Sequence, residues 1–101
     1  MRGFAHRLQL RVADLHGDPA ALGAAVTVEL CGHWEHEGPC RWPHHTSTDL
    51  EPDGTALVTV RYDADPSEVP VVRDRILLGL RAGTLAGPDD RITTWGAVAG
   101  S

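Results

Sequence analysis

The sequence predicts a single α+β domain over residues 1–101, an antiparallel sheet of four to five strands with one main helix packed on a face. Three observations carry that prediction. Several short segments alternate apolar and polar residues with a period of two, the mark of half-buried strands. One longer segment repeats its apolar residues at helical spacing. Turn-forming residues such as Pro52, Gly54, Gly83 and Gly87 divide these segments. A chain of 101 residues is long enough for one modest core.

The elements follow in order. Phe4, His6, Leu8, Leu10 and Val12 share one face of a first strand, while Arg7, Gln9 and Arg11 share the other. Residues 14–17 are turn-like, with His16 solvated between Asp14 and Asp18. Asp18 suits an N-cap and Pro19 the first helical position, so a helix of at most two turns precedes Gly23. If that helix forms, a ferredoxin-like sandwich fits the order of elements. In residues 24–33, Val26, Val28 and Leu30 alternate with Thr27, Glu29 and Cys31. That alternation predicts a second strand, with Cys31 and His33 side by side on its outer face. Two residues of strand span about 6.6 Å, within which both side chains lean toward one ion. Gly38, Pro39 and Pro43 break regular structure. Residues 34–43 are therefore expected as a loop, long for a hairpin connection.

Residues 44–50 predict a third strand, 51–54 a turn, and 55–62 a fourth strand with Ala56, Val58, Val60 and Tyr62 on one side. Proline at 52 presets φ and glycine at 54 accepts a positive φ, which makes this hairpin the firmest element. Pro70 opens the main helix, which runs to about Ala82 with Val69, Val72, Ile76, Leu77 and Leu80 on one stripe and Gly83 just past its end. Gly79 inside that helix costs about 1 kcal/mol relative to alanine, which a close approach to the sheet would offset. Residues 87–90 are a turn, and residues 91–98 a last, less regular strand.

The chemistry gathers between Cys31 and His45, where the chain reads C-G-H-W-E-H-E-G-P-C-R-W-P-H-H. These fifteen residues hold both cysteines, four of the six histidines and two of the three tryptophans. Thiolate and neutral imidazole are the preferred ligands of zinc and several other transition metals. Cys31, His33, Cys40 and one of His36, His44 or His45 would form a Cys₂His₂ shell and staple the loop. The expected partner is thus a metal ion, with zinc as the expected cofactor. The paired C-x₂-C knuckle of zinc fingers is absent. A closed four-ligand shell would be structural; an open position would admit water and catalysis or sensing.

Other readings of the same residues stand beside this one. The histidines can be solvated or hydrogen-bonded. Cys31 and Cys40 can pair, closing a loop worth roughly 2.5–3 kcal/mol in the loop-entropy model, or act as a thiol-redox pair. The Trp-containing loop or an open sheet edge can contact a partner or a second copy, making a non-enzymatic, homo-oligomeric interaction module. Enzyme motifs fail. His33-Trp34-Glu35 followed by Pro39-Cys40 echoes the zinc deaminases, but the elements are too close and Pro43 stands where the last cysteine belongs. His36-Glu37 echoes H-E-x-x-H, but Gly38 and Pro39 forbid the helix it requires. Glu35 and Glu37 read as solvated rather than as general bases. His6 lies on the apolar face of the first strand and reads as a satisfied histidine, not a ligand.

The net charge of −5 argues against a nucleic-acid surface. All nine basic residues are arginine, the codon signature of a GC-rich, bacterial genome. No run approaches the ~18 apolar residues of a membrane span, and the N-terminus lacks the apolar stretch of a signal peptide. A cytoplasmic location is therefore expected, where thiols stay reduced.

Overall fold

The computed structural model describes residues 4–31, 42–87 and 91–100. The elements run β1 (His6–Val12), α1 (Ala20–Cys31), β2 (His44–Leu50), β3 (Ala56–Tyr62), α2 (Val69–Arg81), β4 (Thr84–Ala86), β5 (Ile92–Thr94) and β6 (Val98–Gly100). A single 3₁₀ turn, Pro66–Glu68, leads into α2. The main sheet has the order β2-β3-β1-β6, and β4 and β5 form a separate two-stranded ribbon. Every pairing in both sheets is antiparallel. With β6 as the closing strand, this is the βαββαβ order and strand arrangement of a ferredoxin-like sandwich, with the ribbon inserted after α2.

The period-two reading holds for the core face of β1 and β3. Leu8 opposes Val60, Leu10 opposes Val58 and Val12 opposes Ala56, and all six are buried. Arg7, Arg11 and Arg61 point to the other face and are exposed, while Thr59 on that face is buried. The hairpin joining β2 to β3 turns at residues 51–54, where the Gly54 amide donates to the Glu51 carbonyl at 3.1 Å. Asp53 secures the turn by accepting from both the amide and the hydroxyl of Thr55, at 3.0 and 2.6 Å.

The helical stripe of α2 buries Val72, Ile76, Gly79 and Leu80. Gly83 follows the helix with φ of +74°, as a C′ glycine should. The Trp95 indole N–H donates to the Leu80 carbonyl near the end of α2.

The segment expected as a second strand is instead a helix. Residues 20–31 form α1, which passes through Gly23 without a break. Asp18 does cap it, accepting from the Ala20 amide at 3.0 Å. Leu22, Ala25, Val26 and Leu30 are its buried residues, spaced i, i+3, i+4 and i+8. The alternation of Val26, Val28 and Leu30 coexisted with that helical spacing, and tertiary packing decided between them. The outer strand face inferred for Thr27, Glu29 and Cys31 is therefore replaced by helix. Cys31 is the last residue of α1, and His33 lies outside the described residues.

Two further expectations change. The last strand, expected over 91–98, is divided into β5 and β6, which belong to different sheets. The short strand β4 carried no alternation long enough to read. Both α1 and α2 pack on one face of the sheet. They cross at Gly79, where an added Cβ would lie 2.8 Å from the Ala25 carbonyl oxygen and 2.9 Å from Glu29 Cγ. The close approach that Gly79 permits is thus to α1 rather than to the sheet. No described helix is long and apolar enough to cross a membrane.

Candidate functional site

The donor-rich stretch begins where α1 ends and finishes at the start of β2. Of its six expected ligands, His33, His36 and Cys40 lie outside the described residues, as does most of the loop expected over 34–43. Cys31 closes α1, and His44 and His45 open β2.

His44 and His45 are adjacent in a strand, so their side chains leave opposite faces of the sheet. His44 faces inward toward α1 and is half-buried, while His45 is exposed beside Arg61 on the outer face. The two rings therefore cannot grip the same ion, and the His44–His45 dyad of the sequence contributes at most one ligand to any centre.

Both nitrogens of His44 are engaged. Nδ1 lies 3.0 Å from the Trp42 carbonyl oxygen and Nε2 lies 3.0 Å from the Thr27 hydroxyl. A carbonyl only accepts, so Nδ1 carries a proton and donates to it. In the neutral ring Nε2 then presents its lone pair toward α1 and accepts from Thr27. A backbone carbonyl orienting Nδ1–H is also the arrangement that fixes the tautomer of metal-bound histidines. Cys31 follows Thr27 by four residues, one helical turn, or about 6 Å along the axis.

Trp42, just before β2, is buried, and the Arg75 guanidinium of α2 stands 5.3 Å from its ring centroid. Arg75 also donates to the Glu29 carbonyl at 3.4 Å, so one side chain ties α2 to α1 and to the entry of β2. Arg75 lies outside the apolar stripe of α2. A cation that finds an aromatic face across three elements leaves no local pattern to read.

Of the histidines outside the stretch, His6 is satisfied as expected. Its Nε2 lies 3.2 Å from the Ala64 carbonyl oxygen, and its ring stacks on Tyr62 at 5.3 Å between centroids. Burial raises the Tyr62 phenol above its ordinary value of 10.0, against a smaller opposing pull from Arg73. His16 is exposed, with its backbone bridged to Thr94.

The described residues also line concavities. An apolar cleft of about 660 Å³ separates Ala20, Ala21 and Ala24 of α1 from Leu85 and Ile92 of the β4–β5 ribbon. A shallower one of about 330 Å³ is bounded by Trp42, Asp63, Asp65 and Glu68. Among the described residues no three His, Cys, Asp or Glu side chains converge as a metal centre would require. No family model, no curated protein and no solved structure matches the chain.

Proposed function

We propose that the protein binds one transition-metal ion, zinc by ligand preference, with donors drawn from Cys31 to His44. The observation that supports this reading most is the orientation of His44. Its Nδ1 is held by a backbone carbonyl and its Nε2 lone pair is aimed at α1, one turn short of Cys31. Exchange of the Thr27 hydroxyl for a metal would leave the second hydrogen bond intact. Cys31, Cys40, His44 and one of His33 or His36 then make a closed Cys₂His₂ shell, with Zn–S near ~2.3 Å and Zn–N near ~2.0 Å. His45 is left out because it faces the other side of the sheet. A closed shell gives the metal a structural role, tying the end of α1 to the start of β2 across the intervening segment. Nothing in this arrangement calls for an enzyme, and reduced thiols suit a cytoplasmic protein.

Elemental analysis of protein purified without a polyhistidine tag tests the reading. The expected result is about one zinc per chain, lost in Cys31→Ser and Cys40→Ser and retained in His45→Ala. Metal-free protein whose melting is unchanged by zinc or by chelator would overturn it. Intact mass under non-reducing conditions separates the redox alternative, since a Cys31–Cys40 disulfide lowers the mass by about two hydrogens.

A further inference from the structure

The main sheet ends in two unequal edges. On one side β6 has three residues; on the other β2 has seven. Short edges protect themselves, whereas long ones are guarded by lysine, proline or a bulge. Residues 44–50 contain neither lysine nor proline, and their register with β3 runs from His44↔Tyr62 to Leu50↔Ala56 without interruption. Among the described residues no strand pairs with the outer side of β2.

The backbone of that edge is already oriented. The Glu51 amide donates to the Thr55 carbonyl at 2.8 Å, and the Asp63 amide donates to the Pro43 carbonyl at 3.0 Å. Hydrogen-bonded and non-hydrogen-bonded pairs alternate along an antiparallel ladder. His45, Ser47 and Asp49 therefore turn their backbone groups toward β3, while His44, Thr46, Thr48 and Leu50 turn theirs outward.

The side chains of the same strand, H-H-T-S-T-D-L, are self-complementary about Ser47. An antiparallel copy centred there sets His45 opposite Asp49, Thr46 opposite Thr48 and His44 opposite Leu50, each pair occurring twice by symmetry. An imidazole facing a carboxylate and paired threonines are favourable cross-strand neighbours. All four outward-facing residues fall in hydrogen-bonded pairs, giving about eight backbone bonds by the antiparallel rule. Registers centred on Thr46 or Thr48 keep the same faces but pair only part of the strand. On the outer face Arg7, Arg61 and His45 lie in one cross-strand row, and the Asp49 of a second copy would extend that row with a carboxylate. Leu50, 65% exposed at the far end of the strand, gains a neighbour. Thr46 Oγ1 is closed off from solvent with no hydrogen-bond partner among the described residues, and this register sets a second threonine hydroxyl opposite it.

We infer that β2 is a homodimer interface: two copies join β2 to β2 about a two-fold axis at Ser47, making one continuous eight-stranded sheet. This surface shares His44 with the proposed metal centre, through its backbone here and its ring there, so the association is tested in metal-free protein. A strand-edge contact is small as interfaces go, so the dimer should dissociate on dilution, on the order of micromolar.

Sedimentation of the full chain from low to high micromolar concentration, with EDTA present, should show a reversible monomer–dimer equilibrium. Thr48→Pro removes one outward amide while sparing the ladder to β3, and should abolish the dimer with the circular-dichroism spectrum preserved. Asp49→Arg and His45→Asp should each weaken association about tenfold, and the double exchange His45→Asp with Asp49→Arg should restore it. The double exchange is decisive, because simple misfolding would not be rescued. A protein that stays monomeric at every concentration overturns the inference. So does a dimer indifferent to Thr48→Pro, a dimer that EDTA dissolves, or a double exchange that fails to rescue.

Discussion

The two helices lie against each other on the same face of the sheet, yet their sequences announce them very differently. α2 shows solvent a clear polar side: Arg73, Asp74, Arg75 and Arg81 are exposed, while Val72, Ile76, Gly79 and Leu80 are buried. α1 has no such side. Among residues 20–30 only Ala20 is exposed, and the rest are buried or half-buried. A helix hemmed in by α2 and the sheet has no need of a polar face, so its helical spacing is not set off by a contrasting polar side. What remained visible was the alternation of valine with threonine and glutamate. Amphipathicity thus reports how much solvent a helix sees, not whether the segment is helical.

The comparison can be broken most forcefully in the core. Leu22 of α1 and Ile76 of α2 are both fully buried. Leu22→Ala and Ile76→Ala should each cost about 2–5 kcal/mol in denaturant unfolding. A small loss at Leu22 beside a large one at Ile76 would mean that α1 is not packed as described. Next comes Gly79→Ala. In an isolated helix the change gains about 1 kcal/mol. Here the new Cβ meets the Ala25 carbonyl at 2.8 Å, an atom that cannot rotate away, so a net loss of about 1–3 kcal/mol is expected by chemical melting.

Val26 and Val28 sharpen the comparison further. A strand would bury both equally, whereas α1 buries Val26 fully and Val28 only in part. Val26→Ala should cost about 2 kcal/mol and Val28→Ala less than about 1 kcal/mol. His44→Ala removes the link from β2 to Thr27 of α1, and a stability loss of about 1–2 kcal/mol is expected in metal-free protein. The smallest effect lies outside both helices. Hydrogen bonds from Thr55 hold the Asp53 carboxyl below its ordinary 3.8. A lowered carboxyl favours the folded state above pH 3.8, and that contribution fades as pH falls through the folded value. An NMR titration of Asp53 should show this low midpoint, and Thr55→Val should raise it.

The parts of the fold that were legible share one physical trait: their local pattern and their burial agree. β1 and β3 turn their apolar residues to the core on one side, so alternation and core burial coincide. Pro52 and Gly54 mark a turn whose conformation they alone favour. The antiparallel α+β class followed from these elements and survived the error in α1. The division of residues 91–98 was not legible, because strands of three residues carry too little period and their separate sheets are set by long-range pairing. The site was legible as composition and not as geometry. Six donors in fifteen residues stood out, but the inferred spacing of Cys31 and His33 assumed a strand. Only the register of β2 reveals that His44 and His45 face apart, and only the packing of three elements brings Arg75 over Trp42.

The account turns on residues 20–31 being a helix that delivers Cys31 to the donor-rich stretch from the end of its last turn. Backbone NMR of the labelled chain tests this most directly. Strong sequential amide–amide contacts, Hα(i) to HN(i+3) contacts and helical carbon shifts through Leu30, together with a contact between the Thr27 methyl and the His44 ring, are the predicted result. Extended-chain shifts over Val26 to Leu30, with cross-strand contacts to a neighbouring strand, would contradict it.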